Sequence, residues 1–352
     1  MFSGPLECPG LVRTIPWMPR TVSEPPVCKH LDGLVELMGQ VTGKALTEFD
    51  EDAIHKARVT TRRLKAAMEL LEPVLEKDSY RPMARMGRRL RRRLGPLRDI
   101  DVMLGHLEKI KPTMKFAPAV EWFRDRLHEQ RDKSRLKSSH KSSPAKVLVR
   151  LKTWPMLRQE IVAAGERVDP LLAESVHLRL DAFTEHANHL GGTDPHELRI
   201  AGKSLRYTLE LAKAQGHRLP AKILRAFKRM QDNLGEWHDH VVLAERVMQA
   251  CIDCDLPLHD AAMQRQVLGL VDFSMKRAQL ELERFGRLWE ETGPELSLSI
   301  RGSVPLTHPA AAAAPSMEQS PAATEPKTGP DPVQISPPPA PEAAPQAPPS
   351  AA

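Results

Sequence analysis

The chain has 352 residues, 41% of them hydrophobic, and a formal net charge of +6, so it is long enough to form one large or two smaller packed domains. Its four cysteines are too few for a disulfide scaffold, its start does not resemble a secretory signal, and no run of about 18 apolar residues could span a membrane. The composition therefore predicts a cytoplasmic protein, and the basic charge favours nucleic acid or another polyanion as its partner.

The first part of the chain divides into an arm and a long helical region. Residues 1–29 are rich in proline and lack periodicity, so we expect a loose N-terminal arm. From residue 30 to residue 292, apolar residues recur at helical spacing, and we find no convincing alternating strand. Breaks in the pattern fall at Glu72-Pro73, Lys111-Pro112, Ser143-Pro144, Gly191-Gly192 and Leu219-Pro220. This predicts an all-α fold of roughly eight helices, in one bundle or a pair of bundles.

The last segment, residues 303–352, differs in composition from the rest. It contains 14 of the 32 prolines and many alanines. Such a segment cannot bury enough apolar surface to offset the entropy lost on ordering, so we predict a disordered Pro/Ala-rich tail. One lysine and four acids give this tail a charge of −3, which leaves +9 on residues 1–302.

Two separate motifs each occur twice. The segments His55–Lys65 and His196–Arg206 both place a base three residues after the histidine, an aliphatic residue at the fourth, bases at the seventh and tenth, and leucine at the ninth. The sequence LGPLRD at residues 94–99 returns as LGEWHD at residues 234–239. The offsets are 141 and 140 residues, so the chain is predicted to contain two related helical halves, about 30–160 and 172–290, around a pseudo-two-fold axis.

The bases of each first motif share one helix face. At about 100° per residue, His55, Arg58, Arg62 and Lys65 form one stripe, and leucines lie opposite. The ordinary interpretation is a solvated face, but such a face usually mixes charges, whereas this stripe contains no acid. Like charges at this spacing repel, so an anionic partner is the simplest compensation.

An arginine-rich segment strengthens this hypothesis. The range Arg81–Arg98 contains eight arginines and no acid, yet keeps an apolar stripe of leucines. A guanidinium group binds phosphate oxygens in pairs. In the second half, Gln231 and Asp232 stand where Arg91 and Arg92 stand in the first, so the two halves are expected to bind unequally.

The motif histidines are predicted to lie at helix starts. Asp194, Pro195 and His196 form an N-cap pattern, and a helix N-terminus offers free N–H groups and a positive dipole end to anions. His196 and His55 are therefore candidate phosphate donors, with capping or packing as the alternative. An unperturbed histidine pKa of about 6.5 predicts binding that tightens as pH falls.

In combination these segments resemble the CHAD family of histidine-containing helical domains. The resemblance spans about 30–290 and rests on residues 53–75, 88–104, 195–212 and 224–247. It implies two pseudo-symmetric four-helix bundles enclosing a basic groove or pore, inorganic polyphosphate as ligand, and association with polyphosphate granules and their proteins. The phosphate-facing residues that it implies are His55, Arg58, Arg62, Arg63, Lys65, Arg88, Arg91, Arg92, Arg98, His196, Arg199, Lys203, Arg206 and Lys228.

Nucleic-acid binding is the main alternative function. The charge permits it, but aromatic residues make up 4% of the chain and none interrupts the arginine run. Single-strand binders usually need aromatic stacking platforms. Double-strand binding through phosphates remains open.

A metal-dependent phosphohydrolase is a weaker alternative, suggested by the run His238, Asp239 and His240. Such an enzyme needs several carboxylates or histidines around a metal ion that has an open coordination position. The sequence has lysine and arginine residues where those ligands would be needed. Asp99 and Asp239 are interpreted as groups that orient arginines. We therefore expect a binding protein that is not an enzyme, with no catalytic residue, metal or cofactor. Cys251 and Cys254 form a lone pair without the second half of a zinc site, so buried structural thiols are predicted.

Overall fold

The computed structural model describes residues 24–110, 116–139, 143–192 and 194–306. Within these ranges the chain is helical and contains no strand, which confirms the all-α prediction. Most of the predicted arm, the break at Lys111-Pro112 and the predicted tail beyond residue 306 lie outside the described residues. None of the described helices is both long and apolar enough to cross a membrane.

Among the described residues, eight long helices match the predicted number. They are α1 (Val27–Gly43), α2 (Glu51–Leu71), α3 (Lys77–Lys109), α4 (Ala117–Ser139), α7 (Val168–Asn188), α8 (Pro195–Gln215), α9 (Ala221–Asp253) and α11 (Ala261–Ser303). Three short helices are additional: α5 (Pro144–Leu151), α6 (Trp154–Ala164) and α10 (Leu256–His259). Helix α1 thus begins before residue 30, and α11 continues past residue 292.

The repeated motifs lie on helices of matching length. Helices α2 and α8, which carry the histidine motif, both have 21 residues, and α3 and α9 both have 33. Asp50 caps α2 by accepting a hydrogen bond from the N–H of Ala53 at 2.8 Å. Asp194 caps α8 by accepting from the N–H of His196 at 2.8 Å. Each half therefore presents its basic stripe on a helix that is capped by an aspartate.

The helices enclose two hydrophobic cores, and each core contains helices from both halves. The first is built from α1, α2, α5 to α8, the N-terminal parts of α3 and α9, and the C-terminal part of α11. The second is built from α4, α10, the C-terminal parts of α3 and α9, and the N-terminal part of α11. The predicted limits of the two halves at about 160 and 172 stay a prediction.

The boundary between the cores is polar. On α3 it falls between Leu97 and Ile100, and on α9 between Leu234 and Leu243. His240 is the one buried side chain of α9 between those two leucines. The second copy of the LG motif therefore lies where the apolar packing of α9 is interrupted, and polar groups there are held among helices.

Candidate anion-binding site

Helices α2 and α8 contact each other across the two halves. Arg63 of α2 donates from Nε and Nη2 to the two carboxylate oxygens of Glu210 on α8, at 2.6 Å and 3.2 Å. A bidentate arginine–carboxylate pair fixes geometry as well as adding energy. This pair therefore joins the two helices that carry the basic stripes, so residues of both stripes lie in one region.

Six cations form what we name the basic cluster: Arg58, Arg62, Arg91, Arg98, Arg199 and Lys203. Burial lowers the pKa of four of them, and the positive charge of Arg62 lowers each further; these four are Arg58, Arg91, Arg199 and Lys203. The charge of Arg98 also lowers the pKa of Arg58. Arg62 thus lies within electrostatic range of cations from three helices. The structure brings these predicted site residues together.

Arg58 is held between α2 and α3. Its Nη1 donates to the carbonyl oxygen of Arg91 at 2.8 Å, and Nη1 of Arg91 donates back to the carbonyl of Thr61 at 2.9 Å. Nη2 of Arg58 lies 3.8 Å from Oδ1 of Asp99, which confirms that Asp99 neighbours an arginine. A Cβ atom on Gly95 would lie 3.1 Å from Nη1 of Arg58, so the glycine leaves room for this guanidinium group.

In the second half, a neutral side chain makes the hydrogen bond that corresponds to the one from Arg91 to the carbonyl of Thr61. Nε2 of Gln231 donates to the carbonyl of Gly202 at 2.6 Å. By the motif offsets, these residues correspond to Arg91 and Thr61. The exchange of arginine for glutamine therefore removes a charge and keeps the hydrogen bond between the helices.

Lys203 is the group of the cluster whose proton is least firmly held. Burial, followed by the charges of Arg199 and Arg62, lowers its pKa from 10.5 to about 7. Burial and the charge of Arg199 lower the pKa of His238 to about 4. Burial and the charge of Arg98 lower the pKa of His55. Burial and neighbouring cations therefore bring the pKa of a lysine close to neutral pH, a role that the sequence analysis gave to the histidines.

The two motif histidines occupy different helix positions. His196 is the second residue of α8, directly after its capping region, as predicted. His55 is the fifth residue of α2, so the prediction that both histidines begin helices was wrong for His55. The ring of His196 packs near that of His238, with centroids 5.4 Å apart.

Several predicted phosphate-facing cations, including Arg98 of the basic cluster, already have carboxylate partners. Ion pairs join Lys65 to Glu69, Arg98 to Glu51, Arg206 to Glu210 and Lys228 to Asp232. The stripes are therefore not free of acids in three dimensions, because glutamates one turn further along α2 and α8 reach back to them. Arg88 and Arg92 are exposed on α3, and their contact with phosphate stays a prediction.

One cluster of polar side chains was not predicted from the sequence. His106 of α3 and two residues of α9, Glu236 and His240, each offer one metal-ligating atom within 4.8 Å of the others. Oδ2 of Asp239 lies 3.2 Å from Nε2 of His106, and the Asp239 carboxylate also acts electrostatically on Arg199. The run of residues 238–240 was noticed, but His106 is outside the repeated motifs, so no pattern identified it.

The cysteine pair lies on and just after the end of α9. Cys251 is buried in the second core, as predicted. Cys254 is only partly buried, and its Sγ accepts a hydrogen bond from Nε of Arg126 at 3.2 Å. Both thiols are free.

The CHAD domain family matches residues 33–248, which include both copies of the two motifs. This chain belongs to the CHAD family. A crystal structure of the CHAD domain from the plant Ricinus communis has a similar fold, with a TM-score of 0.51 over 79% of this chain and 90% of that chain. The two sequences are 19% identical, so this likeness concerns the CHAD fold. No curated protein matches the chain.

Proposed function

We propose that this CHAD protein binds inorganic polyphosphate at the basic cluster. The observation that carries the proposal is the convergence of six cations from α2, α3 and α8. Burial and neighbouring cations lower the pKa values of four of them, Arg58, Arg91, Arg199 and Lys203. Like charges held together in a partly buried place are unfavourable. A chain of phosphates compensates this cost and releases its own counterions on binding.

Unpaired donors at equivalent positions support an anionic ligand. Among the described residues, neither Nε of Arg58 nor Nε of Arg199 has a hydrogen-bond partner, although both atoms are buried. A buried donor without an acceptor costs about 1–3 kcal/mol. Phosphate oxygens drawn into the cluster supply such acceptors in both halves.

Polyphosphate fits this cluster better than nucleic acid does. Every unit of polyphosphate carries charge, whereas a nucleic acid separates its phosphates by sugars and needs surfaces for its bases. The arginine run on α3 contains no aromatic residue that could stack on a base. The guanidinium groups instead match closely spaced phosphate oxygens.

The deciding experiment is a competition assay. Labelled long-chain polyphosphate is bound to the full-length protein and competed with duplex DNA and with RNA at equal phosphate concentration, across a salt series. We expect polyphosphate to win by more than about tenfold at physiological salt, with affinity falling steeply as salt rises. Equal competition by either nucleic acid would contradict the proposal and indicate a general polyanion surface.

In this proposal polyphosphate is bound and not hydrolysed. The two acids beside the cluster already pair with protein side chains. Asp99 pairs with Arg58, and Asp239 pairs with His106. Incubation with polyphosphate, with and without Mg²⁺ or Zn²⁺, should release no orthophosphate above the protein-free rate. Release that scales with protein concentration would overturn this part.

Association with polyphosphate granules is the cellular form of the proposal. A fluorescent fusion should co-localise with granules in cells that accumulate polyphosphate. The matched control is a fusion carrying Arg62→Gln and Arg199→Gln, which should be diffuse. Granule localisation of both fusions to the same extent would show that the basic cluster is not responsible.

A further inference from the structure

We propose that His106, Glu236 and His240 form a binding site for a divalent transition-metal ion of the zinc type. This site lies between α3 and α9 and is distinct from the basic cluster. The proposal does not depend on polyphosphate binding. It assigns a role to three residues that the anion-binding site does not use.

The ligand atoms are close to the spacing that such an ion requires. One atom from each residue lies within 4.8 Å of the others, and Nδ1 of His106 is 3.9 Å from Oε2 of Glu236. Ligands about 2.0–2.2 Å from a tetrahedral zinc ion stand roughly 3.4 Å apart. Small side-chain rotations therefore close the site without moving either helix.

The two imidazoles are buried, and that of His240 is incompletely hydrogen-bonded. His106 and His240 are 6% and 7% exposed, and their ring centroids lie 5.4 Å apart. Within the described part of the chain, Nδ1 of His240 has no hydrogen-bond partner. Burying a polar nitrogen without a partner is unfavourable, and coordination to a metal ion removes that penalty.

A neighbouring carboxylate orients one of the ligands. Oδ2 of Asp239 lies 3.2 Å from Nε2 of His106, so Nδ1 of this ring remains available to a metal ion on the side of Glu236. A ligating histidine almost always uses its second nitrogen in this way. Asp239 is therefore a positioning residue and not a ligand.

The ligand set selects the class of ion. Two imidazoles and one carboxylate favour zinc or a neighbouring transition metal over Mg²⁺ and Ca²⁺, which prefer oxygen ligands. Three protein ligands leave a fourth position for water or an anion. Cationic neighbours oppose the ion, because Lys109 lies 3.4 Å from Oε1 of Glu236 and Arg277 acts on His240. We therefore expect moderate affinity.

The test uses the full chain after treatment with a chelator. Zn²⁺ is titrated by calorimetry, and Co²⁺ is titrated as a spectroscopic probe. We expect one equivalent of Zn²⁺ to bind and Co²⁺ to give the visible absorption of a four-coordinate site with nitrogen ligands. Absence of both signals would overturn the proposal.

Variants separate this site from adventitious binding. His106→Gln and Glu236→Gln should each weaken Zn²⁺ binding by at least about tenfold. The control is His128→Gln, which changes an exposed histidine on α4 and should leave binding intact. Because His106 is buried, its variant is checked for native helicity, and partly exposed Glu236 provides the variant that preserves packing. Unchanged affinity in a folded Glu236→Gln protein, or an equal loss in His128→Gln, would contradict the site.

Discussion

Nε2 of Gln231 donates to the carbonyl oxygen of Gly202 at 2.6 Å, where the first half of the molecule uses Arg91 and the carbonyl of Thr61. The first hydrogen bond joins α9 to α8, and the second joins α3 to α2. Both halves thus contain this interhelical hydrogen bond, but only in the first half is its donor a charged side chain. This explains how a chain with two related halves has an unequal distribution of cations.

The Gln231 link predicts a measurable contribution to stability. Gln231→Ala should lower the free energy of unfolding by about 1–2 kcal/mol, because a short interhelical hydrogen bond is lost. The control is Asp232→Ala, whose side chain is exposed and pairs with Lys228, and which should cost less than about 0.5 kcal/mol. Chemical denaturation measures both, and equal costs would contradict the assignment.

The pair between Arg63 and Glu210 predicts coupling between the halves. Arg63→Ala should destabilise the protein by about 1–3 kcal/mol, because a bidentate, partly buried partner of a carboxylate is lost. Lys65→Ala removes an exposed pair within α2 and should cost less than about 0.5 kcal/mol. A double-mutant cycle with Glu210→Ala should show a positive coupling energy; additive costs for Arg63 and Glu210 would refute the link.

Removal of charge from the cluster should weaken polyphosphate binding. Arg62→Gln and Arg199→Gln should each reduce the number of released counterions, lowering the slope of log affinity against log salt by about one unit. Lys228→Gln is the matched change at an exposed lysine paired with Asp232, and its effect should be small. Fluorescence anisotropy across a salt series measures the slopes, with circular dichroism to confirm the fold. The same slope in all three variants would locate the binding surface elsewhere.

The low pKa of Lys203 predicts proton uptake on binding. The charged groups around it are Arg199 on α8, Arg58 and Arg62 on α2, and Asp239 on α9. A bound polyanion offsets the three arginines and raises this pKa above its free value of about 7. Affinity should therefore be highest below pH 7 and fall as pH rises above it. Calorimetry near pH 8 in buffers of different ionisation enthalpy should detect the uptake, and Lys203→Gln should abolish it. Undiminished uptake in that variant would assign the proton to another group.

The same shift has the opposite consequence for the free protein. The pKa of Lys203 is about 7 when folded against 10.5 as its ordinary value, so the unfolded chain holds more protons between these pH values. Stability should then rise with pH across that window. Urea denaturation of the protein without ligand, compared with Lys203→Gln, isolates this contribution. An identical pH dependence in the two proteins would contradict the lowered pKa.

Two equivalent glycines give a further matched pair. Gly235 has no heavy atom within 4 Å of a built Cβ position, so Gly235→Ala should stabilise α9 by about 0.5–1 kcal/mol and leave binding unchanged. In Gly95→Ala the new Cβ would lie 3.1 Å from Nη1 of Arg58 and displace that guanidinium group. We expect a smaller stability gain and weaker polyphosphate binding, measured by denaturation and anisotropy. Equal behaviour of the two variants would show that the position of Arg58 is not constrained.

The sequence was sufficient to predict the helices and their cationic faces. Helical periodicity determines which residues share a face, so the burial of Leu64 and Leu205 opposite the two stripes could be predicted. The repeat likewise predicted that α8 is equivalent to α2. These are local properties, and they depend little on how helices pack.

The sequence was not sufficient to predict the contacts between distant elements. Arg63 and Lys65 look alike in the motif, yet one reaches α8 and the other stays on α2. His106 meets His240 only because α3 and α9 pack together at the polar boundary. The lowered pKa of Lys203 depends first on its burial, then on the charge of Arg199 on its own helix, and then on the charges of Arg62 and Arg58 of the other half. The burial and the arginines of the other half are not contained in a single helical pattern.

Helices α3 and α9 each run without interruption through both hydrophobic cores. If one core loses its packing, one end of α3 and one end of α9 become free. The other core is then destabilised, because it contains the opposite ends of the same two helices. The cores should melt together, so heat or denaturant should produce one transition by every probe. In native-state hydrogen exchange, amides of α3 and α9 in either core should then open with the same free energy, as one cooperative unit.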